Sequence, residues 1–425
     1  MIFKLAWRNL WRNKRRTLIT AASVFFAVLL AVLMRSFQEG SYDLMIKNVV
    51  SFYTGYAQVH KKGYWDDQSL ENSFGHAREV EQQVLAHPHV VEVVPRLESF
   101  ALAAHKDLTE GCMVVGTDPE AEHHLSGLKD KAFKEKHLLP DPEAPDSVRE
   151  EYVYDPAYYL RADDEAVLLA EGLAEKLELG VGDTLVLIGQ GYQGVTAAGK
   201  YAVKGLVKFG SPDLNKRLVY MPLKLAQQLY AAPDRLTSLA LVIDQPQQST
   251  QIVQELRQQL DGEYEVMDWK EMMPELVQSI EADRGGGIIT MLILYMIIGF
   301  GIFGTVLMMT AERQYEFGVM IAIGMKKWRL ATIVVLETVL IAILGVLAGS
   351  LAGLPVVAYF NKHPIYWASM EKMYEEFGME PIMPTALKLS IFSEQTMLVL
   401  LIVMVVCTYP FWKIQRTNPI EAMRR

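Results

Sequence analysis

Four apolar runs are spread unevenly along the chain: Leu18–Met34 stands alone near the start, while Ile288–Thr310, Ile333–Ala358 and Thr396–Trp412 crowd the end, with mostly polar residues 38–284 between. Each run approaches the ~20 apolar residues that a helix needs to cross a ~30 Å hydrocarbon core. The chain is therefore expected to be a membrane α-helical protein of four spans arranged 1 + 3. A large domain is inserted between the first and second spans. At 425 residues there is room for the membrane part and one or two soluble domains.

Orientation follows from the bases, because Lys and Arg accumulate on the cytoplasmic side of membrane ends. Residues 1–16 hold Lys4, Arg8, Arg12, Lys14, Arg15 and Arg16 with no acid, a charge of +6. In residues 311–331, Arg313, Lys326, Lys327 and Arg329 face Glu312 and Glu316, giving +2, and the tail 413–425 carries +3. These three segments hold +11, so the rest of the chain holds −20 of the net −9. The organisation expected is a cytoplasmic amphipathic helix (1–16), spans at 17–37, 288–310, 333–358 and 396–412, a cytoplasmic loop (311–331) and a cytoplasmic tail (413–425). Residues 38–284 and 361–395 lie outside. Bases that hug membrane ends form no groove for nucleic acid. Sixteen residues before the first run, and Met34-Arg35-Ser36-Phe37 after it, describe an uncleaved anchor better than a signal peptide. Cys112 and Cys407 fall in different compartments and cannot pair.

At the start, Phe3, Trp7, Leu10 and Trp11 recur at helical spacing among bases, the pattern of a helix lying on the inner leaflet. A docking surface for a cytoplasmic partner is the alternative. Outside the membrane, His89–His105 and Gly111–Gly116 read as strands, and Glu165–Leu169 as a strand leading into a helix through Leu179. Asp183–Ile188 with Tyr201–Lys208 reads as a hairpin. Leu239–Ile243, a helix at Gln248–Leu260 and Tyr264–Val266 make a βαβ-like unit. The exterior is thus α+β, in two subdomains and without an internal sequence repeat. Leu139–Asp164, rich in Pro, Asp and Tyr, reads as an insertion or mobile loop. Polar helices at Gln38–Val50 and Met272–Asp283 extend the first two spans outward as stalks. Gly285, Gly286 and Gly287 are read as a hinge or as an interfacial break.

Gly345, Gly349 and Gly353 repeat at four-residue steps in the third run, permitting close helix packing, and Gly299, Gly301 and Gly304 do the same in the second. Glu337 is an acid one turn inside an apolar run, to be paired with a loop base or to snorkel; a proton relay lacks a second membrane acid. Gly194 to Tyr201 imitates a phosphate-binding loop, but Tyr201 stands where a magnesium-binding hydroxyl is needed, so a hairpin tip is expected. The histidines, His87, His89, His123 and His124 among them, show no metal-ligand spacing, and no catalytic set is apparent. The segment Arg313 to Arg329 is short, apolar on one side and charged at its ends, consistent with a helix that inserts into a groove of a soluble partner.

At these residues the chain resembles permeases of the MacB/FtsX/LolC-LolE superfamily of ABC transporters. The resemblance covers nearly the whole length. It rests on the opening Ala6–Thr17, the 1 + 3 layout, Glu312-Arg313-Gln-Tyr-Glu316-Phe-Gly318-Val-Met320-Ile-Ala-Ile-Gly324, and the tail Asn418–Arg424. Val115–Pro119, Leu173–Ala174, Leu179–Asp183 and Tyr201–Leu206 are most similar to the lipoprotein-releasing branch. The resemblance implies a MacB-like extracytoplasmic domain and a bacterial inner-membrane location. It also implies a coupling helix within 311–331, in which Glu312, Arg313, Glu316, Gly318, Met320, Gly324 and Lys326 meet a soluble ABC ATPase dimer that binds the ATP and magnesium. This chain itself is expected to hold no cofactor, metal or catalytic residue. Further implied partners are a second permease protomer, identical or different, membrane lipids, and a periplasmic carrier. The Gly189–Lys200 hairpin departs from the family's longer, Pro-containing carrier hook. Substrate contacts are placed on Leu29, Leu33, Phe37, Met291 and Tyr295. The function implied is mechanotransmission that releases lipoprotein, the alternatives being an FtsX-like regulator of a cell-wall enzyme and a MacB-like peptide or drug efflux permease.

Overall fold

A computed structural model describes residues 2–12, 14–75, 78–140, 148–367 and 382–418. Most of the tail motif Asn418–Arg424 and part of each of the segments 139–164 and 361–395 lie outside the described residues. The chain divides into two compact units, one of Met1–Leu44, Ser279–Trp367 and Ile382–Arg425, the other of Met45–Gln278 and Ala368–Pro381.

The first unit is helical. A short helix, Ile2–Arg12, precedes four helices long and apolar enough to cross a membrane: the first, Lys14–Ile46, the second, Pro274–Glu312, the third, Lys327–Lys362, and the fourth, Leu389–Gln415. The fourth helix starts before the apolar run Thr396–Trp412 and takes in Glu394 and Gln395. Gln395 is buried and accepts a hydrogen bond from Tyr295 of the second helix, so a polar residue continues the helix because it has a partner. The glycine steps of the third helix pack against the first. A Cβ on Gly345 would sit 2.6 Å from the Ala21 carbonyl oxygen, and one on Gly349 2.8 Å from that of Phe25. In the second helix a Cβ on Gly299 would meet Ile402 at 3.5 Å, whereas one on Gly301 or Gly304 would meet nothing among the described residues, so packing within this chain accounts for only one of the three. No interfacial break occurs at Gly285–Gly287 either. The helix runs through the triplet, and Gly287 leaves room for the side-chain amide of Gln38, with which any Cβ would collide.

The second unit is built on an eleven-stranded sheet. Its strands are β1 (Ala57–Lys61), β3 (Val90–His105), β4 (Leu108–Thr117), β5 (Ala132–Pro140), β6 (Val148–Tyr154), β7 (Ala166–Ala170), β8 (Thr184–Gln190), β9 (Thr196–Val207), β10 (Leu218–Pro222), β12 (Ser238–Ile243) and β13 (Tyr264–Asp268). Two further strands, β2 (Phe74–Gly75) and β11 (Arg235–Leu236), pair with each other. At one end the strand order is β13-β1-β12-β3. With the helices Arg78–Leu85 and Ser249–Gln259 this is a split βαβ arrangement, β-α-β-β-α-β in chain order. The expected βαβ-like unit is its second half, and the first half repeats the topology without repeating the sequence. Both helices lie on one face: Val80 and Val84 share a core with Ile252, Val253 and Leu256 over Val59, Val93, Leu239 and Val266.

The remaining strands bury a second core around Leu168, Leu169, Leu185, Leu187 and Val219. Within the segment 139–164, expected as an insertion or mobile loop, residues 148–154 are instead strand β6. The last residues of β5 pair with β6 through Leu139↔Arg149 and Lys136↔Tyr152, and Tyr152 packs edge-on against Phe133. Tyr152 and Tyr154 of that segment are cross-strand partners of Lys136 and Phe133. The β8–β9 hairpin pairs Leu185 with Tyr201 and Val186 with Lys200, and closes through a turn at Tyr192–Gly194. Lys200 lies in a ladder with no helix start after it, so the phosphate-loop imitation is a hairpin. Arg96 is wholly buried. Its Nε and Nη2 donate to the two carboxylate oxygens of Glu122 at 2.9 and 2.7 Å. Burial holds the neighbouring Glu98 carboxyl above its usual range against the pull of Arg96.

Candidate partner-binding site at the 312–329 loop

The loop between the second and third membrane helices holds a nine-residue helix, Gln314–Ala322. Its first turn closes when Phe317 N–H donates to the Arg313 carbonyl at 3.0 Å. Phe317 is buried with Leu330, Ala331 and Val334 of the third helix and Ile414 of the fourth, which fixes one face of the loop helix to the membrane bundle. On the other face Tyr315 and Ile323 are exposed, Ile323 to 82%.

Gly324 ends this helix for a conformational reason. Met325 N–H donates to the Met320 carbonyl and Gly324 N–H to that of Ile321, both at 3.0 Å, a Schellman arrangement in which the residue after the cap takes positive φ. Gly324 has φ 104°, and a Cβ there would meet nothing, so glycine is required by the backbone and not by a neighbour.

Charges tie the loop in single file. Arg12 Nη2 donates to both carboxylate oxygens of Glu316 at 2.9 and 2.7 Å. Glu316 also accepts from Arg313 Nε at 3.1 Å, and Arg313 Nη1 donates to Glu337 Oε2 at 2.7 Å. Exposure falls along the series. The Arg12 and Glu316 side chains are 60% and 45% accessible, those of Arg313 and Glu337 7% and 1%. An exposed pair contributes ~0–1 kcal/mol. Removing one partner of a buried pair costs ~3–5 kcal/mol, because the other is left charged and dry. Partial burial opposes ionisation of Glu316, but hydrogen bonds and charge from Arg313 and Arg12 outweigh it and hold the carboxyl below its usual range.

The seven residues assigned to this loop thus divide. Arg313 and Gly318 turn inward. Glu316, Lys326 and the C-terminal Gly324 are exposed, Met320 is half-buried, and Glu312 is exposed at the end of the second helix. Sequence reasoning treated Arg12 as one base of an amphipathic helix and missed its tie to Glu316. For Glu337 the signal was present, since a lone acid in an apolar helix requires a partner, and that partner is the loop base Arg313. Of the residues assigned to substrate, Met291 is buried and Leu29, Leu33, Phe37 and Tyr295 are half-buried. Met291 is 8% exposed, Tyr295 is bonded to Gln395, Phe37 lies against Phe360 with centroids 5.7 Å apart, Leu29 borders Gly353, and Leu33 joins the helix core.

Comparison with known proteins agrees with this architecture. Residues 17–259, more than half the chain, match the MacB-like periplasmic core domain, and residues 288–419 match the FtsX-like permease C-terminal domain. The chain is 23% identical over 328 residues to the lipoprotein-releasing system transmembrane protein LolC of Xylella fastidiosa strain Temecula1, covering 73% of this chain and 78% of that one. It is 21% identical over 353 residues to the protein of the same name from Neisseria meningitidis serogroup B, covering 79% and 78%. Among solved structures it is similar to the periplasmic region of MacB from Actinobacillus actinomycetemcomitans (14% identity, 56% of this chain, 97% of that one, TM-score 0.33). Another is the extracellular domain of the ABC-type transporter YknZ from Gram-positive bacteria (12% identity, 50% and 98%, TM-score 0.30). A MacB-like core inserted before an FtsX-like three-helix segment, with a charged loop helix anchored between two of those helices, places the chain in the MacB/FtsX/LolC family of ABC-type permeases.

Proposed function

We propose that this chain is the permease subunit of an ATP-driven transporter of the bacterial inner membrane, with both termini cytoplasmic and the sheet domain outside. A separate soluble ATPase dimer binds ATP and magnesium and grips the 311–331 loop of each of two permease protomers. Movement of that loop passes along the first two helices to the outer domains, which release an amphiphile, by preference a lipoprotein, from the outer leaflet. Supporting the reading most directly is the single file from Arg12 to Glu337. It joins the loop helix to the third membrane helix through a buried pair, so a force on the loop is delivered to the bundle and not dissipated in a slack turn. The low-identity LolC relatives support lipoprotein as the cargo.

Co-purification with the ATPase and turnover in nanodiscs tests this. Lipoprotein, but not a soluble peptide, should stimulate hydrolysis, and Gly324→Val should assemble normally yet lose that stimulation. Full stimulation in that variant, or assembly without the loop, would sink the assignment. A second reading, a regulator of an outer enzyme, draws support from the short tip of the β8–β9 hairpin, Gly191–Val195, which lacks a hook for a carrier. Partner-dependent hydrolase activation without lipoprotein release would decide for it.

A further inference from the structure

Beside the loop helix lies an open groove of about 830 Å³, lined by Phe3, Leu5, Met320, Ile323, Trp328 and Ile333. Lys326 and Arg329 stand at the same groove, both exposed. Unlike Arg12 and Arg313, neither has an ion-pair partner among the described residues. The volume falls in the ~300–1,000 Å³ range of small-molecule sites. Depth is the informative quantity. Lys326 caps the third membrane helix, whose span begins at Lys327, and Ile333 is six residues further in, about 9 Å along the axis at ~1.5 Å per residue. The groove therefore runs from two unpaired cations at the water boundary to apolar walls below it. Phe3 and Trp328, both more than half exposed, flank it at the level where aromatic side chains settle among headgroups.

We propose that this groove binds one anionic glycerophospholipid, its phosphate on Lys326 and Arg329 and an acyl chain along Ile333 and Met320. Basic pockets between membrane helices hold acidic headgroups through this combination of charge and depth. A helix of a soluble partner would satisfy the cations but has no means of reaching the hydrocarbon level at Ile333. The site is distinct from the Arg12–Glu316 tie, yet shares the loop helix with it, so bound lipid would stiffen the segment proposed to meet the ATPase. The inference requires only that the four helices span a bilayer, so its failure leaves the transporter reading untouched.

The test uses the full chain in nanodiscs without any ATPase, with phosphatidylglycerol or phosphatidylcholine carrying a photoactivatable acyl chain, and maps adducts by mass spectrometry. Peptides containing Phe3–Leu5 and Met320–Ile333 should be labelled more by phosphatidylglycerol, by about fivefold for each cation. Lys326→Glu with Arg329→Glu should erase that preference while labelling of the second and fourth helices persists, which controls for folding. Ile333→Trp should reduce groove labelling by both lipids without a charge change. Soluble glycerophosphate should not compete; competition would assign the site to a free phosphate and overturn the lipid. Equal labelling by the two lipids, or none at the groove while other helices are labelled, would overturn it as well. In a separate arm, complete loss of groove labelling on adding the ATPase subunit would identify the groove as a protein-docking surface and reject the proposal.

Discussion

The two ends of the membrane unit are both held by charge, in opposite ways. At the end bearing the 312–329 loop the charges among the described residues stand in a line, leading from exposed Arg12 through Glu316 and Arg313 to buried Glu337. At the other end they gather round a centre: Glu39 lies 2.7 Å from Arg35, 3.5 Å from Lys388 and 3.6 Å from Arg284. Lys388 also reaches Asp43 at 2.8 Å, and Tyr42 donates to Asp283 at 2.6 Å. A line fails at any link. A hub loses one spoke and keeps the rest. The first arrangement suits transmission along a path, the second suits holding three helices together while their ends shift.

The largest expected effect comes from cutting the line where it is buried. Arg313→Met or Glu337→Leu alone should lower stability by ~3–5 kcal/mol, and the double variant should recover most of that, since a matched apolar pair replaces a matched ionic one. Thermal unfolding of the detergent-solubilised chain measures both. Additive losses in the double variant would mean that the two residues are not a pair. Next is Gly324→Ala, which forces an L-residue into a left-handed conformation at ~1–2 kcal/mol. Hydrogen exchange should rise at Met320–Met325 and nowhere else. At the hub, Lys388→Ala should cost under ~1 kcal/mol, because Glu39 keeps two cations. A loss as large as that of Arg313→Met would abolish the contrast between the ends.

Smallest is the pH effect at the exposed end of the line. The Glu316 carboxyl is held below its unfolded value, ~4.3. Its contribution is therefore complete above that value and disappears as pH falls through the lower, folded one. Arg12→Gln should move that loss to higher pH, and salt should weaken the Arg12–Glu316 tie in the native chain. Titration of a labelled Glu316 carboxyl by NMR reads the shift, and an unchanged midpoint would show that Arg12 contributes nothing.

What was legible in the sequence follows the range of the interaction. The four apolar runs, the glycine steps of the third helix and the β8–β9 hairpin are local patterns, and each appears in the structure. Other features depend on partners that the local pattern does not announce. Gln395, just before the fourth apolar run, is buried in the helix because Tyr295 satisfies it. Tyr152 read as loop until Phe133 and Lys136 supplied a strand partner. The Arg12–Glu316 tie joins residues 304 apart, a distance at which charge pattern carries no pairing information. The split βαβ end of the sheet was half visible, because β12, its helix and β13 are contiguous while β1 and β3 lie far upstream.

That interruption has a consequence for synthesis. Strand β1 is flanked by β12 and β13, yet its Ala57 must wait for Leu241 and Asp268 before either edge is covered. At ~5–20 residues per second the gap is of order 10–40 s. Throughout it a newly made β1 presents two bare edges, the kind of surface on which chains aggregate. Production of this protein should therefore depend on a holding chaperone, and circular permutants that bring β1 next to β12 should shed that dependence.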